Sequence, residues 1–324
     1  MTFPRIDVHA HFLPDFYSDA LRTAGQSRPD GMPAIPEWTE QSALRMMDGL
    51  GIAASVISIS SPGVYFGDKE AAHNLAMRTN EEAARLQRDH PTRFGWFAAT
   101  SLPNVEAAIA EACEALDEKG ADGVVVETNQ DGMYLGNPKL EPFYKALDER
   151  KAVMFVHPTS PKCQGCSSLT LGYPEPMLEF MFETTRTMTN MLLSGVTLRY
   201  PNIRVIVPHA GAALSVLASR VDLQMPFFEA NSAHKSPNLH GELKKLYYDL
   251  AGAPLPELLS VLLQIADPHH IMYGSDWPYT ALALCTDVTG KLDQTPLLAG
   301  DLREDVMNRN ARTLFPKLIE AIQP

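Results

Sequence analysis

The sequence predicts a (β/α)8 barrel, or TIM barrel, formed by a single domain over residues 1–324. Eight short runs rich in β-branched and aromatic residues recur along the chain, and most are almost continuously apolar. Parallel strands that are buried on both faces need this pattern. Amphipathic helical patterns separate the runs, and no change of composition marks a linker. This order favours a closed barrel over a doubly wound sheet.

The predicted elements follow one another regularly. The eight strands, in chain order, are RIDVHA, ASVISIS, FGWFAAT, DGVVVE, AVMFVH, IRVIVPH, LYYDLA and HHIMYGS. The helices between them are SALRMMDGLG, KEAAHNLAMRTNEEAARLQRDH, VEAAIAEACEALDEKG, PKLEPFYKALDER, TTRTMTNMLLSG, AALSVLASRVDL and LPELLSVLLQIA. Several of these helices have Gly or Pro at their ends, as helix termination requires.

Three connections are longer than ordinary strand-to-helix loops. They cover residues 12–40, 158–176 and 277–300, and each follows the carboxyl end of a predicted strand. In barrel enzymes the active site lies at this C-terminal face. We therefore expect the three long loops to surround a functional site.

Composition and charge exclude several classes of function. The chain is 45% hydrophobic and 20% charged, with 39 acidic against 27 basic residues and a formal charge of -12. No long basic run could neutralise phosphates, so nucleic acid is not an expected partner. No stretch of 18 apolar residues could span a membrane, and the N-terminus does not resemble a signal peptide. We expect a cytoplasmic protein.

The four cysteines do not form a disulfide framework in a chain of this length. Only Cys163 and Cys166 are close in sequence, within the loop-like stretch SPKCQGCSS. Their C-x-x-C spacing could bind zinc or cycle between redox states, or they could be two ordinary loop thiols.

Four histidines and one aspartate fall at the carboxyl ends of predicted strands. His9 and His11 close the first strand, His157 closes the fifth, His209 closes the sixth, and Asp276 follows the eighth. In a closed barrel of parallel strands all five side chains would meet at one mouth.

These positions predict a metal site. Residues i and i+2 of a strand point to the same side, so His9 and His11 can face one ion. An H-x-H by itself is a weak signal, because neighbouring histidines often lie together by coincidence. Adding His157 and Asp276 gives three imidazoles and a carboxylate, which suit zinc with one open position.

Two of these residues admit other roles. Asp276 could cap a helix or support a ligand, although a charged group after an apolar strand needs a partner. His209 could be a core histidine, or a proton donor or electrostatic stabiliser beside the ion. Glu127 ends the fourth strand, where a carbamylated lysine could bridge two metals, and its presence there favours one metal ion. Glu127 itself could touch the site or lie behind it.

The sequence resembles the amidohydrolase superfamily, in its branch around aminocarboxymuconate semialdehyde decarboxylase. The similarity runs nearly end to end and includes DVHAHFLP, FVHP, YGSDWP and NRNARTLF. Its most specific part is the block ETTRTMTNMLLSGVTLRYPNIRVIVPHAGAALSVLASR.

The resemblance implies a barrel that binds one divalent ion, usually zinc and in some relatives manganese. The implied ligands are His9, His11, His157 and Asp276, and Asp276 and His209 are the implied catalytic residues. Arg220 matches an arginine that in the family reaches a neighbouring subunit's site and holds a substrate carboxylate, which implies a homodimer or higher homo-oligomer. Arg220 could equally be an ordinary arginine on a helix surface.

The first long loop departs from the muconate enzyme. That enzyme has a further carboxylate-binding arginine there, whereas RPDGMPAIPEWTE contains only Arg28. The stretches PDGMPAIPEWT and SISSPGVYFGD look more like relatives resembling 6-methylsalicylate decarboxylase. The resemblance therefore implies a hydroxylated aromatic acid as substrate.

Two activities remain open at this point. In the first, the carboxylate and the ortho phenolate oxygen of a salicylate-like acid chelate the metal. Asp276, alone or with His209, then delivers a proton to the ring carbon that bears the carboxylate. In the second, the metal activates water to hydrolyse a lactone, ester or amide. The long block favours decarboxylation, and a barrel that binds metal without catalysis is the weakest alternative. Aromatic side chains of the loops could pack against the substrate ring or equally within the core, such as Phe12, Trp38, Tyr65 and Trp277.

Overall fold

The structure is a computed structural model that describes residues 3–162, 169–229 and 238–318. Cys163 and Cys166, the predicted C-x-x-C pair, lie outside the described residues.

Eight parallel strands form the predicted barrel. Their order is β1-β2-β3-β4-β7-β8-β9-β10, and β5 and β6 form a separate antiparallel pair. The described strands are β1 (Arg5–His11), β2 (Ile52–Ser58), β3 (Phe94–Ala98), β4 (Gly123–Glu127), β5 (Asn129–Gln130), β6 (Met133–Tyr134), β7 (Val153–His157), β8 (Arg204–Val207), β9 (Tyr247–Asp249) and β10 (Ile271–Met272). Every residue of β1, β3, β4 and β7 is buried, which explains the almost continuous apolar runs of β3, β4 and β7.

Helices follow most of the strands and surround the barrel. The described α-helices are α1 (Asp15–Thr23), α2 (Glu40–Leu50), α3 (Lys69–Asp89), α4 (Val105–Asp117), α5 (Glu141–Glu149), α6 (Glu179–Leu193), α7 (Val196–Arg199), α8 (Leu214–Glu229), α9 (Leu239–Leu243), α10 (Glu257–Ile265), α11 (Leu282–Gln294), α12 (Leu302–Glu304) and α13 (Asn310–Leu314). Among the described residues, none of the helices has the length and apolar character needed to cross a membrane.

The first and last strands close the ring. The backbone N–H of Val8 donates to the carbonyl of Tyr273 at 3.0 Å, and the N–H of Asp276 donates to the carbonyl of His9 at 2.7 Å. Gly274 permits this approach, because a Cβ there would lie only 2.8 Å from the Cβ of His9. Closure therefore brings the end of β10 directly beside the H-x-H pair of β1.

Two of the three predicted long loops contain helices. Helix α1 lies in the connection 12–40, and helix α11 lies in the connection 277–300. In α1 the buried residues Tyr17 and Leu21 are one helical turn apart, so a short apolar stripe anchors the helix to the barrel. Helix α1 follows Pro14 and is only about two turns long, so its apolar periodicity is too short to be recognised in the sequence.

Candidate active site

Four side chains at the C-terminal mouth of the barrel could hold one metal ion. One ligand atom of each lies within 4.8 Å of the others. They are the residues that the sequence predicted as ligands: His9, His11, His157 and Asp276.

Strand β1 presents its two histidines to a common centre. His9 and His11 are fully buried, and their Nε2 atoms are 3.1 Å apart. Both Nε2 atoms face the same oxygen of Asp276, Oδ1, at 3.4 Å from His9 and 3.2 Å from His11. The alternation of side chains along a strand accounts for this arrangement.

Asp249, at the end of β9, fixes the orientation of His9. Its Oδ2 lies 2.9 Å from Nδ1 of His9, while its Oδ1 accepts the backbone N–H groups of His209 and Ala251, both at 3.0 Å. A carboxylate that accepts the Nδ1 proton leaves Nε2 free to bind a metal. The sequence interpretation missed Asp249, and the only signal for it was an acidic residue inside the apolar run LYYDLA.

The electrostatics of His9 follow from these contacts. Burial by itself would lower the pKa of His9, but the carboxylates of Asp249 and Asp276 outweigh burial and raise that pKa to about 10. Burial likewise opposes ionisation of Asp249, and His9 nevertheless holds the pKa of that carboxyl below its usual value. His9 and Asp249 thus form a tightly coupled buried pair.

His157 is held by its own backbone neighbour. Its Nδ1 lies 2.7 Å from the carbonyl of Pro158, which can only accept, so Nδ1 carries the proton. Burial, together with His11 and His9, keeps the pKa of His157 well below its ordinary value. His157 is therefore neutral, with the lone pair on Nε2, and this atom lies 3.3 Å from Oγ of Ser60.

Asp276 occupies a left-handed backbone conformation, with φ of 58°. Its Oδ2 accepts a hydrogen bond from the hydroxyl of Thr280 at 2.8 Å and lies 3.9 Å from Nε2 of His209. Burial opposes ionisation, yet the histidines His11, His209 and His9 keep the pKa of Asp276 well below its ordinary value. Asp276 is therefore an ionised carboxylate that bridges the cluster and His209.

The turn after β8 directs His209 toward Asp276. Four consecutive residues, His209 to Ala212, have positive φ values of 54°, 54°, 76° and 53°. Such a run is costly for residues other than glycine and is typical of functional sites. The Nδ1 atom of His209 is buried without a hydrogen-bond partner among the described residues, so the ring keeps a free polar atom beside the cluster.

The donor set fits a divalent metal ion. Imidazole nitrogens and one carboxylate suit zinc and several other first-row metals. Glu127 lies behind this set, with Oε2 at 3.6 Å from Nδ1 of His157, on the side of the ring that faces away from the Nε2 atoms. Burial raises the pKa of Glu127 well above its ordinary value, which favours the neutral acid.

A cavity of about 630 Å³ opens above the cluster. His157, His209 and Asp276 form its polar floor. Asp30, from the connection after β1, lies at one side, where its Oδ1 accepts both the N–H and the hydroxyl of Ser160. Most of the remaining wall is apolar and comes from helices α6, α10 and α11 and from the loops that precede them. The site therefore combines a polar metal-binding floor with a hydrophobic wall.

A family model described as Amidohydrolase matches residues 6–317. This chain belongs to the amidohydrolase family. The match covers nearly the whole chain and confirms the resemblance seen in the sequence.

Known relatives of this amidohydrolase include decarboxylases. The 6-methylsalicylic acid decarboxylase of Aspergillus aculeatus is 33% identical over 325 residues, which cover 98% of this chain and 97% of the relative. A crystal structure of an amidohydrolase II has 36% identity and a TM-score of 0.91, covering 96% of this chain and 99% of that chain.

A more distant structural neighbour shares the fold. The 5-carboxyvanillate decarboxylase of Novosphingobium aromaticivorans, crystallised with manganese and 4-hydroxy-3-methoxy-5-nitrobenzoic acid, has a TM-score of 0.87 at 21% identity. The alignment covers 97% of this chain and 96% of that chain.

The predicted substrate-binding residues of this amidohydrolase do not line the described cavity. Phe12 is buried and packs edge-on against Trp38, with ring centroids 6.1 Å apart, and Trp277 is also buried. Arg220 is exposed on α8. None of these four is among the described residues that line the cavity, so their contact with substrate stays a prediction.

Proposed function

We propose that this amidohydrolase catalyses the metal-dependent, non-oxidative decarboxylation of a hydroxylated aromatic acid. The observation that carries the proposal is the convergence of three histidines and Asp276 beneath a cavity, where His157 and Asp276 of this cluster line the floor. Such a site could catalyse several reactions, and the similarity to relatives that are named decarboxylases favours decarboxylation.

The proposed ligands of the ion are His9, His11, His157 and Asp276. A divalent ion held there would supply positive charge for the substrate's carboxylate and its neighbouring hydroxyl oxygen. Asp249 keeps His9 in position through Nδ1, and the Pro158 carbonyl does the same for His157. The side chains are thus oriented before the substrate arrives.

Asp276 and His209 are the proposed catalytic residues. Because Asp276 is ionised, it must take up a proton before it can donate one, and the substrate hydroxyl is the proposed source of that proton. Asp276 then delivers this proton to the ring carbon that bears the carboxylate. The bond to the carboxylate breaks, its electron pair returns to the ring, and carbon dioxide leaves. The product phenolate takes its proton from solvent by way of His209.

We infer that the ion is zinc, because three imidazole nitrogens and one carboxylate form a ligand set that zinc prefers. Manganese, which is present in the structure of the 5-carboxyvanillate decarboxylase, is the alternative. Metal analysis of the purified protein, followed by reconstitution with each ion in turn, decides between them.

We also infer a homodimer in which Arg220 holds the substrate carboxylate of the neighbouring subunit. On α8, Val216, Arg220, Leu223 and Phe227 recur every three or four residues and are all exposed, so they form one stripe. Exposed Phe182 lies on the neighbouring helix α6. An apolar stripe around a single arginine is typical of a surface that packs against a second copy.

The experiment that tests the reaction is a substrate panel. Metal-loaded protein is incubated with hydroxybenzoic acids, unsaturated dicarboxylic acids and lactones, while carbon dioxide and released acid are followed. We expect carbon dioxide from an ortho-hydroxybenzoic acid and none after the metal is removed. Acid release from a lactone, without carbon dioxide from any acid, would replace the proposal by the hydrolytic alternative.

Mixing two inactive variants tests Arg220. We expect Arg220→Met and His209→Asn homodimers to be inactive separately. Exchange of subunits would restore part of the activity, because each mixed dimer contains one site with both residues intact. No recovery under conditions where subunits demonstrably exchange would contradict the role of Arg220 in the neighbouring site.

A further inference from the structure

The cavity above the metal cluster is larger than one aromatic ring requires. Its volume of about 630 Å³ lies in the middle of the range of roughly 300–1,000 Å³ found for sites that bury drug-sized ligands. A hydroxybenzoic acid bound at the floor would leave the outer part of this space unfilled.

The outer part of the cavity has an apolar wall built by three helices. The apolar residues of this wall are Phe180 and Met181 of α6, Leu258 of α10 with Leu255 in the turn before it, and Leu284 and Val288 of α11. On α11 the two side chains are four residues apart and therefore share one helix face. The charged residues next on that face, Asp287 and Lys291, pair with each other at 2.6 Å and leave no free charge on it.

The apolar surface continues to the lip of the cavity. Leu284 is 59% exposed and Met177 is 67% exposed, although both residues line the cavity. Large apolar side chains that stay exposed around an opening are typical of ligand-binding grooves. Methionine side chains, here Met177 and Met181, adapt their shape to flexible apolar ligands.

From this wall we propose that the natural substrate is a hydroxylated aromatic acid bearing an extended apolar substituent, such as an alkyl chain. The acid and hydroxyl groups lie on the polar floor, and the chain lies between α6, α10 and α11 and reaches the lip near Leu284. This inference rests on the proposed function, because it assumes that the aromatic acid binds at the metal cluster.

A homologous series of substrates tests the proposal. Metal-loaded protein is assayed with 6-methyl-, 6-propyl-, 6-pentyl- and 6-heptylsalicylic acid. We expect kcat/KM to rise about three- to fourfold for each buried methylene, until the chain passes the lip of the cavity. A flat or falling series, with carbon dioxide still released from the methyl compound, overturns the proposal and leaves the proposed reaction intact. It would mean that water or a second copy of the chain fills the outer cavity.

Two variants connect the chain-length effect to this wall. Leu284→Gln changes an exposed lining residue and so does not endanger folding, whereas Leu258→Gln changes a deeper one. We expect each to reduce the ratio of kcat/KM for the heptyl and methyl compounds by about tenfold or more. The matched control is Leu198→Gln, on α7 and outside the cavity lining, where Leu198 is 47% exposed. An equal reduction in the control contradicts the proposal.

Binding measurements test the apolar subsite independently of the proposed decarboxylation. Calorimetric titration of the metal-loaded His209→Asn variant, which lacks a proposed catalytic residue, gives affinities for the same four acids with turnover suppressed. Affinity that rises with chain length, with no carbon dioxide released by the unchanged protein, supports the apolar subsite and contradicts decarboxylation. Affinity that is independent of chain length overturns the subsite whether or not carbon dioxide is formed.

Discussion

Two partly buried aspartates at opposite ends of the barrel have pKa values that are shifted in opposite directions. Asp276, at the C-terminal end, is surrounded by histidines, which outweigh burial and keep its pKa well below the ordinary value. Asp122 precedes β4 at the N-terminal end, where its carboxylate accepts the backbone N–H of Trp96 at 3.0 Å. Burial raises the pKa of Asp122 to about 6.

The difference shows what prepares a buried carboxylate for chemistry. At both ends the barrel removes water, and this alone favours the neutral acid. Only at the C-terminal end do several imidazoles stabilise the ionised carboxylate and so compensate for its lost hydration. The N-terminal aspartate contributes to folding, whereas the C-terminal one is charged and open to a ligand.

The largest expected effect comes from removing the charge of Asp276. Asp276→Asn keeps the size of the side chain but removes both the negative charge and the proton acceptor. We expect kcat for decarboxylation to fall on the order of 10²–10⁴-fold. Asp122→Asn is the matched control, and we expect it to keep nearly full activity. Similar losses in both variants would show that the two ends do not differ in function.

A smaller effect is expected from Asp249, which contacts the cluster only through His9. Asp249→Asn replaces the acceptor at Nδ1 of His9, so His9 is less well oriented as a ligand. We expect metal affinity to fall about 10–100-fold, as measured by competition with a chelator. Excess metal should then restore most of the activity. Unchanged affinity would contradict the positioning role of Asp249.

The smallest effect concerns stability at the other end of the barrel. Because the pKa of Asp122 is near 6 in the folded protein and near 4 in an unfolded chain, the folded state binds more protons between these values. The contribution of Asp122 to stability is therefore present at low pH and is lost as the pH rises through this window.

Comparison with Asp122→Asn isolates this contribution. We expect the unfolding free energy of the variant, relative to the unchanged protein, to increase by about 1–2 kcal/mol between pH 4 and pH 7. Urea unfolding of both proteins at several pH values measures it. A difference that does not depend on pH would contradict the raised pKa of Asp122.

Sequence patterns predicted the barrel because most strands are buried on both faces and are therefore almost continuously apolar. Helices α1 and α11 were not predicted, because they are short or lie in stretches interpreted as loops. The β5–β6 pair was missed as well, since two-residue strands leave no periodic signal.

The five polar residues of the site were predictable because they stand at strand ends, where an apolar run stops at a histidine or an aspartate. Asp249 was missed because it acts through His9 and carries no motif of its own. The apolar wall could not be predicted at all. Its residues come from separate helices, such as Met181 and Leu284, and any of them could equally have been core.

The left-handed backbone of Asp276 restricts how this position can change by mutation. Glycine, asparagine and aspartate adopt positive φ readily, whereas most other residues do so at a cost. In a library randomised at this codon, selection for folding alone should return all three residues. Selection for turnover should return only aspartate, because it is the one member of that set that carries a carboxylate. A homologue with glycine or asparagine at this position would therefore keep the barrel fold but lose the catalytic carboxylate.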